Sequence, residues 1–144
     1  MDLDNFFRFF IPPNEEEENK EDTLIASYSD FYNNPIYKLG MFKKLITNHT
    51  NFNSKALSSL LSAHSGDNKE TAKIQRLSNV ILYNRAYGFL EDIDLNTPEN
   101  ISFVKESFST ELITSFDLAI KFFEEKEEYE KCALIKKFKD LSPL

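Results

Sequence analysis

From Ile36 to Leu141 the apolar side chains recur every three or four residues and almost nowhere every second one. That spacing gathers them along one side of an α-helix and would scatter them over both faces of a strand. Three glycines in 144 residues leave little to punctuate a large sheet. The expected fold class is all-α: a compact bundle of about six or seven helices with an extended N-terminal peptide and an acidic linker. No internal repeat is visible.

Start and stop signals divide the periodic region. Glu21 to Tyr32 reads as a short helix ended by Asn33-Asn34-Pro35, and Asn34-Pro35 then caps and opens the next, carried by Ile36, Leu39, Phe42, Leu45 and Ile46. Asn48 to Asn53 is rich in turn formers and predicts a loop. Ser54 to His64 predicts a helix with Leu57, Leu60 and Leu61 inward, stopped at Ser65-Gly66. Asp67-Asn68-Lys69-Glu70 has capping-box spacing and should open the longest helix, to about Leu90. Its apolar face is expected at Ile74, Leu77, Ile81 and Tyr87 or Gly88, the glycine allowing a kink or a close helix contact. Asn96-Thr97-Pro98-Glu99 is a further start signal. Leu112, Phe116, Ala119, Ile120 and Phe123 form the stripe of the next helix. After a break near Glu125 to Glu128, Tyr129, Cys132, Ile135, Phe138 and Leu141 form the last. Residues 1–21 read as an aromatic docking peptide plus acidic linker, and 22–144 as a single helical domain ending in a helical hairpin.

An apolar content of 41% suffices for a sizeable core in one domain. One cysteine excludes an internal disulfide, and Cys132 with two histidines cannot assemble a Cys/His zinc cage. No run approaches the ~18 apolar residues of a membrane span, and the acidic start Met1-Asp2-Leu3-Asp4 lacks the basic region of a secretory signal. The expectation is a soluble cytoplasmic protein, or one within a virion, with no cofactor, no metal and no membrane association.

The net charge of -7 conceals strong segregation. Residues 1–22 carry -6, residues 38–90 carry +6, residues 91–130 carry -9, and the last fourteen return to +3. Fields of both signs are therefore present, and the total acidity describes no single surface. Fourteen lysines against three arginines, with thirteen asparagines and fourteen phenylalanines, are what A+T-rich codons produce and suggest a low-GC bacterium, its phage or a similar genome.

The N-terminal segment Phe6-Phe7-Arg8-Phe9-Phe10-Ile11 is densely apolar, is followed by Pro12-Pro13, and hangs on the acidic stretch Asn14 to Asp22. So many large apolar groups in one short peptide demand a surface. Leu3, Phe6, Phe7, Phe9, Phe10 and Ile11 are the candidate partner-binding residues, inserting into a protein groove or folding back on their own domain. Leu3-Asp4-Asn5-Phe6-Phe7 resembles the core of the PIP box, an aliphatic residue followed by paired aromatics. The resemblance implies docking on a sliding clamp.

In the last two helices, Ala119 to Leu141, the segment Tyr129-Glu130-Lys131-Cys132-Ala133 resembles the UVR motif of nucleotide-excision-repair proteins. That resemblance implies a short helical hairpin serving protein–protein contact.

The basic stretch offers an alternative. Lys43, Lys44, Lys73, Arg76 and Arg85 supply candidate phosphate contacts, and Tyr83 and Tyr87 stacking faces, for a nucleic-acid-associated protein. No helix-turn-helix, finger or RNA-motif signature accompanies them. For catalysis there is no phosphate-cradling glycine loop and no nucleophile elbow. His49 reads as a surface residue of a polar loop, His64 as a helix-end residue and Cys132 as an inert core thiol. The glutamates at 124, 125, 127, 128 and 130 crowd one hairpin turn, open to loose binding of a hard cation or simply solvated. The expected function is that of a non-enzymatic protein–protein interaction protein: a small helical adaptor or subunit of a larger assembly, docking through its N-terminal aromatic peptide. A nucleic-acid or sliding-clamp accessory protein is the alternative.

Overall fold

The computed structural model describes Leu24 and residues 27–63 and 68–144. The chain falls into two compact units, residues 1–34 and 35–144. The docking peptide and its acidic linker lie outside the described residues, as do His64, Ser65-Gly66 and Asp67.

The described part of the first unit is a short helix over 27–33. The Asn34 N–H donates to Phe31 O at 3.2 Å and ends it, as the Asn-Asn-Pro signal predicts. Tyr28 and Tyr32, one turn apart, stack with ring centroids 6.4 Å apart.

The second unit is built of α1 (Pro35–Ala63), α2 (Asn68–Glu91), α3 (Pro98–Glu106), α4 (Thr110–Glu125) and α5 (Tyr129–Lys139). The described residues are all-helical and contain no strand. Helix α1 packs on α2, α3 and α4, while α5 packs on α4 and α2. The core takes Leu39, Phe42 and Ile46 from α1, Tyr83, Ala86 and Leu90 from α2, and Val104 from α3. To these α4 adds Leu112, Phe116, Ala119 and Phe123, and α5 adds Ile135 and Phe138. Phe116 is its hub: its ring lies 5.3 Å from Phe42, 6.0 Å from Phe108 and 6.3 Å from Phe138.

Local chemistry accounts for the boundaries. Pro98 opens α3 without sacrificing a hydrogen bond, since the first N–H of a helix has no partner. Ser109 Oγ accepts from the Leu112 N–H at 3.1 Å and caps α4. The turn from α4 to α5 is a Schellman closure: the Glu128 N–H donates to Phe123 O and the Glu127 N–H to Glu124 O, both at 2.9 Å. Glu127 takes the left-handed conformation this requires, with φ 59°. A Lys139–Asp117 ion pair at 2.6 Å braces the hairpin.

Two sequence expectations are corrected. Residues 48–53 are helix, not loop, and α1 runs through them. Two of these side chains are bonded within the helical frame: Thr50 Oγ1 donates to Ile46 O at 2.9 Å on the same helix, and His49 reaches across to Asn79 on α2. The inward face of α2 is Tyr83, Ala86 and Leu90, while Ile74, Leu77 and Ile81 are 66%, 56% and 69% exposed. Gly88 makes no close helix contact, because a Cβ there would meet nothing within 4 Å.

Candidate functional site

Helix α2 is apolar on two sides. Tyr83, Ala86 and Leu90 are spent on the core, leaving Ile74, Leu77 and Ile81 as a second stripe at spacings of three and four residues. Beside this stripe, Leu45 and His49 of α1 and Ser78, Leu82 and Arg85 of α2 complete a shallow groove of about 430 Å³. His49 Nε2 and Asn79 Oδ1, 2.6 Å apart, fasten α1 to α2 beside the groove. The expectation of a surface histidine in a polar loop is corrected accordingly: His49 is half-buried on a helix and bonded across to its neighbour.

Helix geometry distributes the basic candidates over several sides of the bundle. Lys43 turns toward α4, where its Nζ lies 4.0 Å from a Glu111 carboxylate oxygen. Lys44, one position on, emerges about 100° further round α1 and is exposed. Lys73 and Arg76 share a side of α2, whereas Arg85, nine residues beyond Arg76, emerges on the opposite one. The tyrosines expected to stack on bases are engaged elsewhere. Tyr83 is 9% exposed, with its ring stacked on Phe122 at 4.4 Å. Tyr87 meets the edge of Phe123 at 5.7 Å and is covered by the Lys131 ammonium at 5.3 Å. Desolvation raises both phenols above the ordinary value, with Glu91 and Glu130 adding to the effect at Tyr87.

Cys132 is partly buried, with Sγ 3.5 Å from Ile120 O. Desolvation first, then the carboxylates of Glu124 and Glu128, push its thiol above the usual value, against a smaller opposing backbone hydrogen bond. That disfavours the nucleophilic thiolate. Among the described residues no three His, Cys, Asp or Glu side chains converge as a metal site, the glutamates of the hairpin turn included. A second hollow, about 220 Å³ between α1 and α4, is lined by hydroxyls at Thr47, Thr50, Thr110, Thr114 and Ser115. Thr50, Thr114 and Ser115 each donate to the carbonyl one turn back on their own helix, so their hydroxyl hydrogens are already committed to backbone acceptors.

The spacing of Ile74, Leu77 and Ile81 marks an apolar face, and that face is exposed where the sequence predicts core. The available signal was excess: with Tyr83, Ala86 and Leu90 also apolar, α2 carries more apolar surface than one core face consumes. No family model, curated protein or solved structure matches this chain. No helix among the described residues is long and apolar enough to cross a membrane.

Proposed function

We propose that this chain is a non-enzymatic protein–protein interaction protein, a small helical adaptor or subunit of a larger assembly. The observation that carries this reading is the exposed Ile74–Leu77–Ile81 stripe with its adjoining groove. Three large aliphatic side chains, each more than half exposed on neighbouring turns, form the kind of contiguous apolar surface that protein contact covers. The Phe6, Phe7, Phe9 and Phe10 peptide is proposed as a second contact, on the strength of its composition alone. The UVR-like hairpin of α4 and α5 fits the same reading: its buried face builds the core, and its outer face of Glu130, Ala133, Lys136 and Lys137 is exposed.

The test is capture from a lysate of the native host, read by mass spectrometry. The full chain is compared with a Leu77→Glu/Ile81→Glu variant and with a variant carrying alanine at Phe6, Phe7, Phe9 and Phe10. Loss of a specific protein, including an untagged copy of this chain, in either variant is the expected result. Identical capture by all three, with helicity intact, would overturn the reading.

A further inference from the structure

We infer that the exposed stripe of α2 is covered by α2 of a second copy of this chain, packed antiparallel about a two-fold axis. The inference rests on the reading of that stripe as an interaction surface and adds the identity of its occupant.

The argument lies in the order of residues along the face. Glu70, Ile74, Leu77, Ile81 and Arg85 recur at spacings of four, three, four and four, so they lie close to one line on the helix. The line is apolar in its middle, acidic at one end and basic at the other. It spans fifteen residues, or about 22 Å. Glu70 and Arg85 are both exposed, and neither makes an ion pair among the described residues.

A two-fold contact uses the same patch on both copies, so the patch must complement itself. Set the axis at the middle of the line, between Leu77 and Ser78. Each residue then faces the one equally far on the other side of the axis. Ile74 meets Ile81 of the second copy, the two Leu77 side chains meet near the centre, and Glu70 meets Arg85 at both ends. A parallel pairing would oppose Glu70 to Glu70 and Arg85 to Arg85, which like-charge repulsion disfavours. A partner helix of a single charge sign would satisfy one end of the line and repel the other. The groove toward Leu45 and Leu82 gives the incoming aliphatic side chains a recess beside the stripe. A contact of one helix per copy is smaller than a standard stable interface, so the dimer exchanges with monomer in the micromolar range or weaker.

Sedimentation velocity of the full chain, across micromolar to millimolar concentration, tests this. The expected result is a monomer–dimer equilibrium that Ile81→Asp weakens at least about tenfold with unchanged far-UV circular dichroism. Glu70→Arg and Arg85→Glu should each weaken it severalfold. The doubly substituted chain should recover most of the loss, because exchanging the charges rebuilds both end pairs. A wild-type chain that stays monomeric throughout overturns the inference, as does a dimer indifferent to Ile81→Asp or a double variant no tighter than the single ones. Stripe-dependent capture of a different protein by a monomeric chain would overturn the second copy while upholding the proposed function.

Discussion

The Lys131 ammonium lies 2.6 Å from Asn84 Oδ1, tying α5 to α2 across the aromatic corner of the core. The same Nζ sits 5.1 Å from the Phe123 ring centroid and 5.3 Å from that of Tyr87, and Glu128 Oε1 is a more distant partner at 3.5 Å. Asn84 is held ready by its own Nδ2, which donates to Val80 O at 2.8 Å. A cation that spans two ring faces and a fixed amide oxygen contributes through all of them at once.

Replacing Lys131 by Met keeps much of the aliphatic packing and removes the charge. The expected cost is about 1–2 kcal/mol, from the lost hydrogen bond and cation–π contacts. Asn84→Ala should cost less than the sum predicts when combined with it, with a coupling of about 1 kcal/mol in a double-mutant cycle of urea unfolding. Strict additivity would show that the 2.6 Å contact contributes nothing to stability.

Phe116 touches three other rings and is fully buried. Phe116→Ala should remove about 3–5 kcal/mol by emptying the centre of the bundle, a large share of the roughly 5–15 kcal/mol that holds a small domain together. Chemical denaturation with circular dichroism detection measures it, and a loss below about 1 kcal/mol would contradict this packing.

Glu127 holds a left-handed conformation with a side chain that disfavours it. It also sits at the negative end of α4, beside Glu124 and Glu125. Glu127→Gly should therefore stabilise the protein by about 1 kcal/mol, visible as a higher melting temperature. An unchanged or lower midpoint would mean that the turn does not close in this way.

Alkaline pH should destabilise the fold. Tyr83, Tyr87 and Cys132 all have folded-state values raised above the ordinary 10.0 for tyrosine and 9.0 for cysteine, burial being the first cause at each. For an acid raised in this way the neutral form is the one the fold prefers. Its contribution is complete below the unfolded value and is lost as pH rises through the folded one. Urea midpoints should fall from about pH 9 upward, and Tyr83→Phe, which keeps the ring stacked on Phe122, should make the fall shallower.

Where one apolar stripe matches one buried face, the sequence spells out the fold. Leu112, Phe116, Ala119 and Phe123 are such a case, and each is buried in α4. Periodicity reports which residues share a side of a helix, not which side meets the core. In α2 the larger aliphatics Ile74, Leu77 and Ile81 suggested the inward face, yet Ala86 and Tyr83 hold it. Ala86 offers a small side chain that is wholly buried, and Tyr83 brings a ring that stacks on Phe122. Neither advantage is readable before the neighbours are known. Residues 48–53 misled in the opposite direction, because turn preference is local and the His49–Asn79 bond is not.

The brevity of the α4–α5 turn bears on how the bundle assembles. A hairpin closed by three residues spends little loop entropy, so α4 and α5 can pair early in folding. Phe42 must cross a far longer stretch of chain to reach Phe116, and the α1–α4 contact therefore forms later. Substitutions inside the hairpin should change the folding rate, whereas those on the α1 side of the Phe42–Phe116 contact should act mainly on the rate of unfolding.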